Sequence, residues 1–523
     1  MKWIIVSGGV ISGLGKGIVS ASLGKLLNKF KVIPIKCDGY LNVDPGTMNP
    51  FEHGEVFVLE DGGEVDMDFG HYERFMNIHA KASWNLTSGK VFSAIIEKER
   101  RGDYLGKTVQ IIPHVTDEIK RRWRAVAKTE NADVCIIEIG GTVGDIENQT
   151  YYEAARQLKL DGDKVAVVHL TYVPFLEAVG EQKTKPTQQS VLLMLQKGLQ
   201  PDVVICRSKL ALEEKTKSKV ALFCNVPIRA VISNPNIATV YELPLIFKQQ
   251  GLDSLIRQKL ELEGQSDMGV WPQLVHNILQ PNSTLKIAIC GKYTALHDAY
   301  ISISEALIHA GAHLNVKPEI SFIETTKPQE IVSQLNGFSG LIIPGGFGER
   351  GTEGKIAAIK YAREHKLPFL GLCYGMQLAV IEYARNVCGL DGANSTEINE
   401  STQHPVICLL PGQHNITKKG ASMRLGAQEI LIKPSTQAER ILGRSIKRRF
   451  RHRFEVNPEY VEMLETKGLV FSGTTPDKSI MQIMELPDHP FYIGTQFHPE
   501  LTSKLEHPEA LFVEFLKASR KQT

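Results

Sequence analysis

The 523-residue sequence predicts an α/β protein made of two tandem parallel-sheet domains. Three observations lead there. Short β-branched runs bounded by glycine, aspartate or proline alternate with longer amphipathic stretches, the pattern of buried parallel strands joined by crossover helices. The same series restarts after residue 284. Finally, 42% hydrophobic against 23% charged residues is the composition of a chain that buries a real core, which excludes a disordered or low-complexity protein.

In chain order, the first series runs through residues 3–6, 32–35, 134–139, 165–170, 203–206 and 229–233. Each run is apolar on both faces and short, as a strand covered by helices on both sides requires. These runs define a first domain over residues 1–265. Between residues 251 and 283 the periodicity gives way to a polar helix-like stretch, then Pro272 and Gln280-Pro281-Asn282-Ser283, and a linker is expected over 266–284. Runs at 285–290, 320–323, 341–343 and 369–373 then build a second domain over 285–523. Residues 401–420, with Pro411-Gly412 and Lys418-Lys419-Gly420, read as a loop.

Charge and cysteine usage narrow the function classes. Sixty Lys and Arg against 58 Asp and Glu leave +2, too balanced for a dedicated nucleic-acid or membrane-surface binder. Even the basic run from Lys447 to Arg453 is therefore not assigned to RNA, and a solvated face is kept as one reading of it. Eight dispersed cysteines without a C-x-x-C pair fit a reducing compartment. Met1-Lys2 leads straight into Trp3-Ile4-Ile5-Val6, and no apolar stretch approaches the ~18–20 residues that span a bilayer. A cytoplasmic location is expected.

Directly after the first strand stands Gly8-Gly9-Val10-Ile11-Ser12-Gly13-Leu14-Gly15-Lys16-Gly17, followed by a helical stretch over 18–28. Such a turn lets backbone N–H groups approach phosphate oxygens, while the helix N-terminus and a lysine add positive potential. It departs from the strict phosphate-loop pattern: five residues separate Gly9 from Gly15, and Gly17 replaces the hydroxyl that would ligate magnesium. Metal ligands must come from elsewhere, and hard carboxylate oxygens are wanted. Asp68 and Glu138 are the candidates. Glu138 is favoured because a carboxylate inside an apolar strand needs a cation or hydrogen-bond partner. Glu64 and Asp66 read as an ordinary solvated face.

In the second half, a strand over 367–370 ends in Gly371-Leu372-Cys373-Tyr374-Gly375, with a helical stretch over 376–384 behind it. G-x-C-x-G between strand and helix is a nucleophile elbow, so Cys373 is the nucleophile candidate. A thiol needs a base and the base needs an orienting partner. Gln496-Phe497-His498-Pro499-Glu500, after a strand-like stretch over 491–495, offers His498 and Glu500. The glycines of Pro344-Gly345-Gly346-Phe347-Gly348 could present N–H groups to an oxyanion.

These motifs carry a resemblance. The loop from Gly8 to Gly17, Lys36-Cys37-Asp38-Gly39-Tyr40 through Met48, Glu138-Ile139-Gly140-Gly141-Thr142-Val143-Gly144-Asp145-Ile146-Glu147, and Lys183-Thr184-Lys185-Pro186-Thr187-Gln188 resemble the CTP synthase family in order and spacing. The second half resembles that family's fused class I glutamine amidotransferase domain. The resemblance implies a phosphate-loop synthetase domain similar to dethiobiotin synthetase. It also implies a two-step reaction: ATP phosphorylates O4 of UTP, and ammonia from glutamine replaces it at C4.

By the same resemblance Cys373, His498 and Glu500 form the glutaminase triad, and Gly346, Tyr374, Gly375, Met376, Gln377, Glu397 and Arg453 hold glutamine or shape its site. Gly13, Leu14, Gly15, Lys16, Gly17, Ile18, Lys36 and Asp68 bind ATP, with Mg²⁺ on Asp68 and Glu138. Ser12, Asp145, Ile146, Glu147, Lys183, Thr184, Lys185, Pro186, Thr187, Gln188 and Lys219 form the UTP site, shared with CTP as feedback inhibitor. His53 and Val56 match the throat of an ammonia passage. GTP activation and a homotetramer are implied as well. Two departures stand out: Tyr374, where many relatives carry a smaller aliphatic residue, and a shorter 408–423 region, where the family places its GTP-sensing lid. Two other readings compete, an ATP-dependent amidase acting on a carboxylate and a catalytically silent, polymerising nucleotide sensor. The pyrimidine-site match argues against the first and the intact Cys373, His498, Glu500, Lys16 and Glu138 set against the second.

Overall fold

The computed structural model describes residues 1–46, 48, 54–292, 297–409 and 423–522. The chain divides into two compact units: Met1–Asp44 with His71–Pro272, and Pro45–Gly70 with Gln273–Thr523.

In the first unit seven parallel strands lie in the order Val231–Pro235, Val203–Ser208, Lys164–Tyr172, Lys2–Gly8, Val134–Ile139, Val32–Asp38, Asn85–Thr87. Val134–Ile139 and Val32–Asp38 are buried at every position, as helix cover on both faces demands. Lys2–Gly8 is central. The chain builds outward on one side of it and later returns to build on the other, so the loop after Gly8 sits at a topological switch point, where open α/β sheets bind ligands. Local signals set the helices. Thr87 caps Ser88–Arg100 by accepting the Lys90 N–H, and Thr116–Thr129 opens with Asp117 and Glu118 and closes with Lys128, matching its dipole.

The stretch expected as a linker is partly structured: Trp271–Leu279 is helical. Trp271 is buried, meets Tyr241 edge-on and Phe75 at a tilt, and donates to the Tyr241 carbonyl at 2.8 Å. An aromatic anchor of that size overrides the turn signals around it.

The second unit holds a nine-stranded sheet ordered Val316–Glu324, Ser283–Gly291, Gly340–Ile343, Phe369–Leu372, Tyr492–Thr495, Met481–Glu485, Val470–Thr474, Arg424–Ile432, Ser445–His452. The first five strands are parallel, as expected, and the last four extend the sheet antiparallel. Neighbouring residues face opposite layers. Leu341, Ile343 and Phe369 pack with helices Thr352–Glu364 and Tyr374–Asn386, while Ile342 and Leu370 pack with Ile301–Leu314 and Ala510–Arg520.

The expected loop at 401–420 contains a strand instead. Pro405–Leu409 pairs antiparallel with Phe454–Val456 and buries Val406 and Ile407, a short apolar run that the surrounding turn residues disguised. Residues 410–422 lie outside the described residues.

Candidate functional site

Strand Phe369–Leu372 runs into helix Tyr374–Asn386 through Cys373, which has φ 49° and ψ −99°. A non-glycine residue at positive φ costs about 1–3 kcal/mol and persists only where its surroundings impose it. Here they do. The Cys373 N–H donates to the Thr495 carbonyl at 2.6 Å, and neither flanking glycine has room for a side chain. A Cβ on Gly371 would stand 2.9 Å from the Gly375 backbone, and one on Gly375 would stand 2.2 Å from the Ile343 carbonyl oxygen. The G-x-C-x-G spacing is therefore a steric requirement of the turn. Cys373 is 3% exposed and lines a cavity of about 280 Å³ with Gly345, Gly346, Arg451, His498 and Glu500.

His498 Nδ1 lies 2.6 Å from Glu500 Oε1, which assigns a proton to Nδ1, so the neutral form of the imidazole carries its lone pair on Nε2. Burial alone would depress this imidazole. The charges of Glu500 and Cys373 outweigh burial and raise its pKa well above the ordinary value. Nε2 itself is buried and has no hydrogen-bond partner among the described residues. The sulfur is held by two other groups: Sγ donates to the Arg451 carbonyl at 3.6 Å and accepts from Gln496 Nε2 at 3.4 Å. His498 and Cys373 meet at Gly345, where a Cβ would stand 2.9 Å from His498 Cε1 and 3.7 Å from Cys373 Cβ. Resting catalytic hydrogen bonds often close only with substrate bound.

The glycine loop after Gly340–Ile343 is tied down from two sides. Gly348 N–H donates to Glu397 Oε1 at 2.8 Å, and burial raises the Glu397 carboxyl against the pull of that N–H, Lys292 and Arg453. The Gly348 carbonyl accepts the Tyr374 hydroxyl at 3.0 Å, and Thr352 Oγ1 lies 2.9 Å from the same phenol oxygen. The Tyr374 ring carries the Lys355 ammonium 5.1 Å from its centroid, and Lys355 is pushed down to about 8, mainly by burial. Tyr374 thus faces the back of the loop. Gly375, Met376 and Gln377 are buried behind Cys373, with Gln377 Nε2 on the Phe454 carbonyl at 2.8 Å. Of the residues expected to hold glutamine, Gly346 stands on the cavity wall and Arg453 is half-buried beyond strand Ser445–His452.

Glu64 is a correction. It is buried, not a solvated face, because Arg451 Nε donates to its Oε1 at 2.8 Å. Asp66 caps a helix: its Oδ1 accepts the Asp68 N–H at 2.8 Å where Asp68–Met76 begins. The basic run is largely structural too. Arg449 is fully buried, donating to the carbonyls of Val58 and Leu501 at 3.2 Å, and Arg448 meets Glu509 at 3.1 Å. Residues Glu55, Val56 and Val58 line the cavity that holds Cys373. His53 lies outside the described residues.

In the first unit the glycine-rich loop has the backbone its composition implies, with Gly13 at φ 73° and Gly15 at φ 91° directly before helix Lys16–Leu26. Ser12 is exposed in this loop, Leu14 and Gly17 are buried, and Ile18 sits in the first turn of the helix. Lys16 Nζ donates to the Gly141 carbonyl at 2.6 Å, joining this loop to the one after Val134–Ile139. Glu138 is 1% exposed; its carboxylate takes Lys36 Nζ at 3.2 Å and the Tyr72 hydroxyl at 2.7 Å, and Lys36 also lies 3.5 Å from Asp38. Among the described residues no cluster of three or more His, Cys, Asp or Glu forms a metal cage. A pair of carboxylates completed by nucleotide oxygens is the usual magnesium arrangement and needs none.

The expected pyrimidine-site residues fall on two loops. Asp145 accepts the Thr142 N–H at 2.5 Å and its hydroxyl at 2.6 Å, and Ile146 is 83% exposed with Glu147 beside it. Pro186 occupies the first turn of helix Lys185–Gln196, where its missing N–H costs nothing. Gln188 Nε2 bonds Thr184 Oγ1 at 2.9 Å and Thr187 bonds the Tyr172 carbonyl at 3.1 Å. Lys185 lies over the Phe223 ring. Lys183 pairs with Glu181 at 2.6 Å, and this bond above all, with Lys215 and Lys219 adding to it, holds the exposed Glu181 carboxyl low. Three lysines around one carboxylate leave a surplus of positive charge.

Sequence reasoning missed two groups. His169 is buried between Ser7 Oγ at 2.8 Å and Ser190 Oγ at 2.7 Å and is pushed down to about 3 by burial, hence neutral. Gly9 abuts this pair, since a Cβ there would overlap Ser190 Oγ at 1.6 Å. In the sequence Gln496 is only a neighbour of His498, and no spacing rule marks a thiol's hydrogen-bond donor.

Residues 2–262 match the family model described as CTP synthase N-terminus, and residues 295–518 match glutamine amidotransferase class-I. A curated CTP synthase from Archaeoglobus fulgidus is 52% identical over 526 residues, covering 100% of this chain and 99% of its own. One from Thermococcus gammatolerans is 52% identical over 529 residues with the same coverage. A solved Trypanosoma brucei glutaminase domain with bound acivicin is 36% identical, covering 45% of this chain and 94% of its own, at a TM-score of 0.43.

Proposed function

The chain belongs to the CTP synthase family, and from that premise we propose how its residues divide the work. It is a glutamine-hydrolysing ligase that converts UTP to CTP at the expense of ATP. Among the described residues no helix is long and apolar enough to cross a membrane.

In the second unit His498, oriented by Glu500, takes the Cys373 proton on Nε2. The thiolate attacks the glutamine amide, backbone N–H groups of the Gly345-Gly346 loop face the developing oxyanion, ammonia leaves, and water resolves the thioester. The observation that carries this reading is the Cys373, His498 and Glu500 set on one 280 Å³ cavity beside that glycine loop. In the first unit the Gly13, Leu14, Gly15, Lys16, Gly17 and Ile18 loop and Lys36 cradle the ATP phosphates. Ser12, the Asp145, Ile146 and Glu147 loop, the Lys183–Gln188 stretch and Lys219 hold UTP. Phosphorylation of O4 turns a poor leaving group into a good one, a step that asks mainly for positioning and charge neutralisation. Glu138 would hold Mg²⁺, which supplies that neutralisation when bound; a carboxylate 1% exposed on an apolar strand is the hard-oxygen donor such an ion takes.

By the same reading CTP competes at the UTP triphosphate site, GTP activates, and the chain works as a homotetramer in the cytoplasm. The test is product analysis: purified protein with UTP, ATP, Mg²⁺ and glutamine, and in parallel with ammonia replacing glutamine, should form CTP in both. Turnover of ATP without CTP would favour an amidase instead.

A further inference from the structure

We propose that Gln496 is a further catalytic residue of the glutaminase, donating a hydrogen bond from its side-chain amide to the Cys373 sulfur and stabilising the thiolate. This rests on the glutaminase reading and deepens it. The two partners of Sγ act in opposite senses. The Arg451 carbonyl at 3.6 Å can only accept, so it favours the protonated thiol, whereas Gln496 Nε2 at 3.4 Å can only donate, so it favours the anion. A buried sulfur with no donor would resist ionisation.

The orientation of the amide follows from its neighbours. Gln377 must present its NH₂ to the Phe454 carbonyl, 2.8 Å away. That same NH₂ reaches Gln496 Oε1 at 3.2 Å, which turns the Gln496 NH₂ toward the sulfur. The backbone is fixed too: Gln496 N–H donates to the Gln482 carbonyl at 2.8 Å, and the preceding Thr495 carbonyl accepts the Cys373 N–H. Gln496 is fully buried, so water does not compete for its donor. When the Cys373 proton passes to His498 Nε2, the sulfur keeps the electron pair and loses its reason to face Arg451. The Gln496 N–H remains aimed at the charge through attack on the amide carbon, and again when the thioester breaks and the sulfur leaves.

The experiment is the pH dependence of iodoacetamide alkylation at Cys373 in the full-length chain, read peptide by peptide, with Cys373→Ala as background. Gln496→Met, similar in length and lacking a donor, should move the alkylation midpoint up by about one pH unit and slow glutamine hydrolysis about 10- to 100-fold. Gln496→Glu, which places a carboxylate against the sulfur, should move it further. A circular dichroism spectrum and a thermal transition of the second unit that match wild type in at least one variant report that this unit is folded. Slower hydrolysis with an unmoved midpoint in both variants would overturn the proposal and leave Gln496 a packing residue. Wild-type protein whose Cys373 is neither alkylated nor needed for glutamine hydrolysis would overturn the glutaminase reading itself.

Discussion

Arg451 Nε donates to Glu64 Oε1 at 2.8 Å, and the carbonyl of the same arginine accepts the Cys373 thiol at 3.6 Å. A hairpin drawn from Phe57–Val58 and Glu64–Val65 therefore braces the strand against which Cys373 rests. Its tip is also tight against strand Arg424–Ile432, since a Cβ on Gly426 would stand 2.7 Å from the Gly62 nitrogen.

Breaking this pair from one side leaves a mostly buried charge without its partner, a loss of about 3 kcal/mol. Glu64→Ala and Arg451→Met should each lower the thermal transition of the second unit and slow glutamine hydrolysis. Glu64→Leu combined with Arg451→Met should recover more than half of the lost stability, because an apolar pair of similar volume replaces two charges. Single variants as stable as wild type would show that the pair is solvated in solution.

The raised pKa of His498 has a signed consequence for stability. A group that binds its proton more tightly when folded stabilises most below its unfolded pKa of about 6.5 and loses that contribution as pH rises through the folded value. Wild-type stability should fall over that window. Glu500→Gln removes the largest raising influence and leaves only Cys373 to oppose burial, so the fall should shrink. Parallel pH profiles of chemical denaturation for the two proteins would contradict the assignment.

Tyr374→Phe deletes the hydroxyl that links the Gly348 carbonyl and Thr352 while keeping the ring beneath Lys355. A lost hydrogen bond of about 1 kcal/mol should raise the KM for glutamine roughly fivefold, because the glycine loop is less well held. The value of kcat and the ammonia-dependent reaction should stay within about twofold. Equal loss of kcat and kcat/KM would instead place the hydroxyl in the transition state.

Lys183 tests the nucleotide assignment in the first unit. If it meets the UTP triphosphate, Lys183→Ala removes a charge-assisted contact worth about 1.5–3 kcal/mol, roughly 10- to 150-fold in affinity. CTP inhibition should weaken with it, and the ATP dependence should change far less. An equal loss for ATP and UTP, or no loss for UTP, would reject the site.

Much of this was legible in the residues. The apolar runs marked the parallel strands because burial on both faces leaves no alternation to confuse, and Gly371, Cys373 and Gly375 announced the elbow because a side chain at Gly371 would meet the Gly375 backbone and one at Gly375 the Ile343 backbone. What stayed hidden depends on partners distant in sequence. Glu64 reads as solvated until Arg451 arrives 387 residues later, and the antiparallel edge of the second sheet begins only where short, interrupted strands meet across the fold. Pro405–Leu409 was masked by turn residues on either side, and His169 sits in an apolar strand where one histidine looks like packing until Ser7 and Ser190 are found on its two nitrogens.

The division of chemistry between the two units is tested most directly by Cys373→Ala, assayed for CTP with glutamine and with ammonia. The account predicts that glutamine-dependent formation is abolished while ammonia-dependent formation stays near the wild-type rate, because Lys16, Lys36 and Glu138 lie in the other unit. A folded variant that loses both reactions, or that keeps the glutamine-dependent one, would contradict it.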